Sequence, residues 1–145
     1  MRSTKRGFTL VEILIVVIIL GILAAIVIPQ FTNASSDART NSVKSTLQTL
    51  RGQIELFKIQ HADTPPDVTA LTTVMAGKTN PTDLTQTAAT GTLGPYVQSF
   101  PFNPLNNYST VVNAAGTTAG WVYTVTGGAY TVFATDTTGT GTLSY

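Results

Sequence analysis

The apolar residues of this chain are concentrated at one end. Residues 8–28 read FTLVEILIVVIILGILAAIVI, a run of 21 residues interrupted by one charge, Glu12. As a helix rising ~1.5 Å per residue, the run would extend ~31 Å, which matches the ~30 Å hydrocarbon core of a bilayer. Ile and Val are poor helix formers in water, but in lipid the backbone must satisfy its own hydrogen bonds, so a helix is the expected single-span state. Pro29 closes the densest part of the run. Helical signals resume after it, so Pro29 is expected to kink the helix rather than stop it. Through residues 31–62 the pattern changes to one apolar face: Val43, Leu47, Leu50, Ile54 and Phe57 recur at helical spacing. Gly52 weakens that stretch only slightly. The pattern therefore predicts one helix of roughly 50 residues, half in membrane and half partly buried. It should end near Ala62, because Pro65 and Pro66 cannot continue it and Thr64 is pushed out of the helical region.

A second pattern begins beyond the prolines. Residues 67–76 can form a short helix, with Asp67 as its cap and Val68, Leu71, Val74 and Met75 on one face. Residues 77–95 are rich in Thr, Gly, Asn and Pro and read as loop. Strands are expected at 108–112, 121–126 and 129–135, the last two joined by Gly127-Gly128 as a tight hairpin. Alternation puts Trp121, Tyr123 and Val125 on one face, and Tyr130, Val132 and Ala134 on one face of the next strand. These faces can cover the helix stripe, which predicts an α+β fold: a long N-terminal helix packed on a small antiparallel sheet. The tail, 137–145, is expected to be loose.

Charge refines this picture at the N-terminus. Residues 1–7, MRSTKRG, hold three of the eight Lys and Arg and no acid. Basic residues before an apolar span, with none just after it, place the N-terminus in the cytoplasm. Without those seven residues, five basic and seven acidic side chains remain. The mature chain then lacks the net basic character that binds nucleic acid through phosphates, so no nucleic-acid partner is expected. Charged residues make up only 10% of the chain. There is no Cys, which excludes disulfides and thiolate chemistry. His61 is the one His, and no triad or metal cluster can be assembled around it; it is expected to be an exposed residue at the helix end. Asp63 and Asp67 read as turn and capping residues. Gly21 and Ala25 form a weak small-x-x-x-small pair.

Residues 5–12 read K-R-G-F-T-L-V-E. This resembles the type IV prepilin leader and cleavage motif, in which basic residues and Gly precede an aromatic residue and Glu stands fifth after the cut. An ordinary secretory signal keeps its apolar run before the cut and loses it. The resemblance implies that a prepilin peptidase cuts between Gly7 and Phe8 and that Phe8 is N-methylated. It also implies that Glu12 and the new Phe8 amine set subunit register in a filament. Residues 94–107, G-P-Y-V-Q-S-F-P-F-N-P-L-N-N, are similar to a segment of the type II secretion pseudopilins, as is the last hairpin.

The organisation expected on this resemblance is a cleaved leader at 1–7, a transmembrane and filament-core helix at 8–30, an amphipathic continuation at 31–62 and a periplasmic α+β region at 63–145. The chain would sit in the bacterial inner membrane as a single-pass protein and then enter a filament. Its partners would be membrane lipid, prepilin peptidase, other copies of itself, minor pseudopilins and the inner-membrane platform of a secretion system or pilus. A structural subunit rather than an enzyme is expected. A type IV pilin is the nearest alternative, and a membrane-anchored binding module is a more distant one. The pseudopilins hold calcium in an acidic C-terminal loop. Here Asp136 is followed by Thr, Gly and Ser with no second acid, so it is only a weak calcium candidate and no cofactor is expected.

Overall fold

The computed structural model describes residues 7–82 and 91–145. The basic leader residues Arg2, Lys5 and Arg6, and part of the 77–95 loop, lie outside the described residues. A helix, α1, covers Leu10–Gln60, 51 residues, and its residues divide between two compact units, Met1–Ala38 and Arg39–Tyr145.

In the first unit every residue from Gly7 to Ala38 is exposed, including the whole apolar run. An uninterrupted apolar surface of this kind is not stable in water and requires lipid or other helices around it. The helix passes through Pro29 without ending. Proline has no N–H, so the carbonyl of Ala25 loses its usual partner at this point.

In the second unit, the stripe expected from the sequence is the buried one. Val43, Leu47, Leu50, Ile54 and Phe57 are all 1% exposed or less. Between them Thr46 and Thr49 satisfy their hydroxyls within the helix by donating to the carbonyls of Ser42 and Ser45. At the end of α1 the carbonyl of Lys58 accepts from the N–H groups of His61 and Asp63, at 3.1 and 2.8 Å. Ala62 and Asp63 take left-handed φ values of 52° and 61°, which turn the chain into Pro65-Pro66. The Lys58 ammonium lies 3.4 Å from Asp63 and 3.7 Å from Glu55, a favourable place for a cation at a helix C-terminus.

The short helix α2 is Leu71–Ala76, with Leu71, Val74 and Met75 buried. It starts later than the pattern suggested, and Asp67 does not cap it. Asp67 instead accepts from the N–H and hydroxyl of Thr69, at 2.8 and 2.5 Å, closing a local turn. The Thr69 hydroxyl, more than its N–H, holds the Asp67 carboxyl below the usual range.

Four strands follow: β1 Val111–Val112, β2 Trp121–Thr126, β3 Ala129–Thr135 and β4 Thr142–Leu143, in the spatial order β1-β2-β3-β4. Gly127 and Gly128 have φ of 60° and 83°, as a two-residue hairpin of the primed type requires. Trp121 faces Ala134, Tyr123 faces Val132 and Val125 faces Tyr130, so the two faces expected from the alternation lie together across the hairpin. The sheet is mixed rather than wholly antiparallel, because β1 runs parallel to β2. Gly120 permits this close return: its N–H reaches the Thr110 carbonyl at 3.0 Å, and a Cβ there would overlap the Tyr108 carbonyl. The tail is not loose, since β4 pairs with β3 at Thr135 and Ala134.

Sheet and stripe close one core with α2 and Tyr96, and its aromatic polar atoms are satisfied at the edge. Trp121 Nε1 donates to the Pro101 carbonyl at 2.9 Å and the Tyr123 hydroxyl to Pro66 at 3.0 Å. Burial, chiefly, raises the Tyr123 pKa and pushes that of Tyr130 up to about 12. The segment at 94–107 supplies the polar centre. Asn103 is fully buried, and its amide donates to the carbonyls of Gly120 and Thr135 at 2.9 and 2.8 Å while its Oδ1 accepts from the Leu105 N–H at 2.9 Å. Asn106 adds donations to Ala119, Thr135 and Asp136.

Removing one side of such a buried network strands its partners. Asn103→Ala is expected to lower the unfolding free energy by about 2–3 kcal/mol, while Asn113→Ala on the exposed β1–β2 loop changes it by less than about 0.5 kcal/mol. Chemical denaturation of the two variants checks this, and equal losses would contradict the network's role.

Candidate functional site

The candidate site is the start of α1. Gly7 and Phe8 precede the helix and are exposed, Phe8 to 83%. Thr9 stands immediately before Leu10, the first helical residue. Its hydroxyl accepts from the Glu12 N–H at 3.2 Å. Glu12 Oε2 reaches back and accepts from both the N–H and the hydroxyl of Thr9, at 2.9 and 3.0 Å. This is a reciprocal capping box. It satisfies donors that would otherwise be orphaned at a helix start, where lipid offers no substitute partner.

Thr9 belongs to the site together with Glu12. The signal was present: a T-x-x-E spacing directly ahead of an apolar run predicts this cap. The structure links Thr9 and Glu12 across the first helix turn, with Phe8 immediately before it. Glu12 Oε1 makes no hydrogen bond among the described residues, so the carboxylate has one oxygen committed and one available. Gly21 and Ala25 lie on the exposed apolar helix with no partner among the described residues.

The other singled-out residues lie apart from this site. His61 corrects an expectation: it is 1% exposed, not a solvated helix end. Its ring stacks on Phe57 with centroids 3.7 Å apart and planes 6° apart, and Nδ1 lies 2.8 Å from the Phe57 carbonyl. One helical turn past Phe57, His61 continues the buried stripe, and its aromatic face packs where polarity alone suggested exposure. Asp136 Oδ1 accepts from the Thr138 N–H and hydroxyl at 3.0 and 2.6 Å and from the Thr140 N–H at 3.4 Å. Among the described residues no three His, Cys, Asp or Glu side chains gather in a way that could hold a metal ion. A single carboxylate occupied by its own loop does not fit calcium, which takes six to eight oxygens.

Comparison with known proteins finds relatives of the sequence. The model of the prokaryotic N-terminal methylation motif matches residues 2–28. Type II secretion system core protein G of Pseudomonas aeruginosa is 28% identical over 109 residues, 73% of this chain and 72% of the relative. The core protein G of Escherichia coli K12 is 29% identical over 115 residues, 78% of this chain and 77% of the relative. The chain is thus similar to type II secretion core protein G over roughly three quarters of its length. Type IV major fimbrial protein FimA of Dichelobacter nodosus is 47% identical over 55 residues, but these are only 38% of this chain and 35% of the relative. No solved structure matches the chain significantly.

The capping box makes a direct prediction. Thr9→Val removes both the acceptor for the Glu12 N–H and a donor to Oε2, at an expected cost of about 1 kcal/mol to the first turn. In detergent micelles the amides of residues 9–12 should exchange with solvent several-fold faster in the variant, with those near Val43 unchanged. Unaltered exchange at the first turn would show that the cap contributes nothing.

Proposed function

We propose that this chain is a structural subunit of a type II secretion pseudopilus. The observation that carries this reading is the extent of the core protein G matches, which run over roughly three quarters of both chains and so include more than the apolar helix. The chain would insert with its N-terminus in the cytoplasm and its Arg39–Tyr145 unit in the periplasm. Prepilin peptidase would cut after Gly7 and methylate Phe8. The released subunits would then polymerise by helix packing, with the inner-membrane platform and minor pseudopilins as further partners. Pro29 would kink the helix where subunits pack.

The chemistry of that transition follows from the helix start. The cut removes three cationic side chains that hold the leader on the cytoplasmic side, and it creates a positive amine at Phe8. Glu12 Oε2 stays on Thr9, and Oε1 is free to accept from the amine of a neighbouring subunit. Leaving either charge unpaired in an apolar assembly costs several kcal/mol, so only the axial register that pairs them is stable. The same cap that orders the first turn therefore also holds the carboxylate in position for its partner.

A type IV pilin is the second reading, favoured by the higher identity of the FimA segment. Electron microscopy of expressing cells separates the two: long surface fibres would indicate a pilin and short periplasmic ones a pseudopilin. Under either reading Glu12→Val should insert and be cleaved normally yet yield no filaments. Filaments of normal abundance from that variant would remove the pairing from the account.

A further inference from the structure

Most oxygens of the loop at 136–141, where the resemblance to pseudopilins implies a calcium ion, are already in use. Asp136 Oδ1 holds the Thr138 N–H and hydroxyl and the Thr140 N–H. The Thr138 and Thr140 hydroxyls lie 2.8 Å apart. The other carboxylate oxygen lies over Gly141, where a Cβ would collide with it. Four of the loop's carbonyls are committed as well. That of Asp136 accepts from the Gly139 N–H at 3.1 Å and from Asn106 at 2.8 Å. Those of Gly139, Thr140 and Gly141 accept from the N–H groups of Ala119, Gly116 and Asp136, at 2.9, 3.0 and 2.9 Å. Gly139, at φ 78°, is buried against the Ala119 backbone.

We propose that this loop is closed by threonine hydroxyls in place of a cation, and that the Arg39–Tyr145 unit folds independently of calcium. A calcium ion would need six to eight oxygens, normally with more than one carboxylate, and would have to break the contacts that shape the loop to find them. The hydroxyls perform the ion's task by another route: they hold the ionised Asp136 while the loop returns β4 to β3 and fastens residues 116–119 ahead of Trp121. The Thr138 hydroxyl first, with backbone N–H groups of Gly141, Thr138 and Thr140 adding to it, keeps the Asp136 carboxyl below the usual range, as expected for a carboxylate that serves as the loop's acceptor. The inference holds for either kind of filament, so its failure would leave the pseudopilus reading standing.

The test is thermal unfolding of the full chain in detergent, followed by Trp121 fluorescence, with excess chelator and with millimolar calcium. A cation bound at 100 times its dissociation constant would raise Tm by on the order of 10 °C. The expected result is the same Tm in both, within about 1 °C, with Thr138→Val lowering Tm by several degrees in both and Thr138→Ser, which keeps the hydroxyl, restoring it. A Tm that falls on chelation and recovers with calcium would overturn the proposal. So would a Thr138→Val variant as stable as the parent.

Discussion

Everything at the N-terminal end depends on one carboxylate in an apolar setting. Glu12 is the single charge in 21 residues that otherwise suit hydrocarbon. Such a group is costly in lipid unless its oxygens are occupied, and charged residues in spans are retained where they have a partner. The capping box supplies part of that partner within the chain, since Thr9 gives Oε2 two donors and fastens the first turn. In the proposed filament the remaining oxygen would accept from a cationic amine on a neighbour, which offers a carboxylate leaving water a charged partner.

The Arg39–Tyr145 unit solves a different problem. It is small and has no disulfide, so its core must be closed by packing and by internal hydrogen bonds. One stripe of α1 and one face of the β2–β3 hairpin provide the apolar part. Asn103, Asn106, Thr135 and Asp136 provide the rest, tying loops and strand ends to one another. Buried networks of this kind are stabilising only when each member is paired, which is the case for the Asn103 amide and carbonyl.

What could be read in the sequence was what periodicity dictates. The stripe from Val43 to Phe57 and the hairpin register at Gly127-Gly128 follow from spacings of 3.6 and 2, and both are found. The parallel pairing of β1 could not be read, because two residues carry no periodicity and the pairing is imposed by the close approach at Gly120. The order in the tail was missed for a related reason: Thr and Gly look like a solvated coil until their hydroxyls and backbone are seen on Asp136. His61 was misjudged by chemical type, although its place one turn after Phe57 puts it on the buried face. At the helix start Glu12 was legible and Thr9 was overlooked, although the two belong to one motif.

The proposed pairing requires an amine at Phe8 to meet Glu12 Oε1, which makes no hydrogen bond among the described residues. Mass spectrometry of the N-terminal peptide from native membranes tests this most directly. The expected chain begins at N-methylated Phe8, with residues 1–7 absent. A chain that retains an unmodified Met1 start would contradict it.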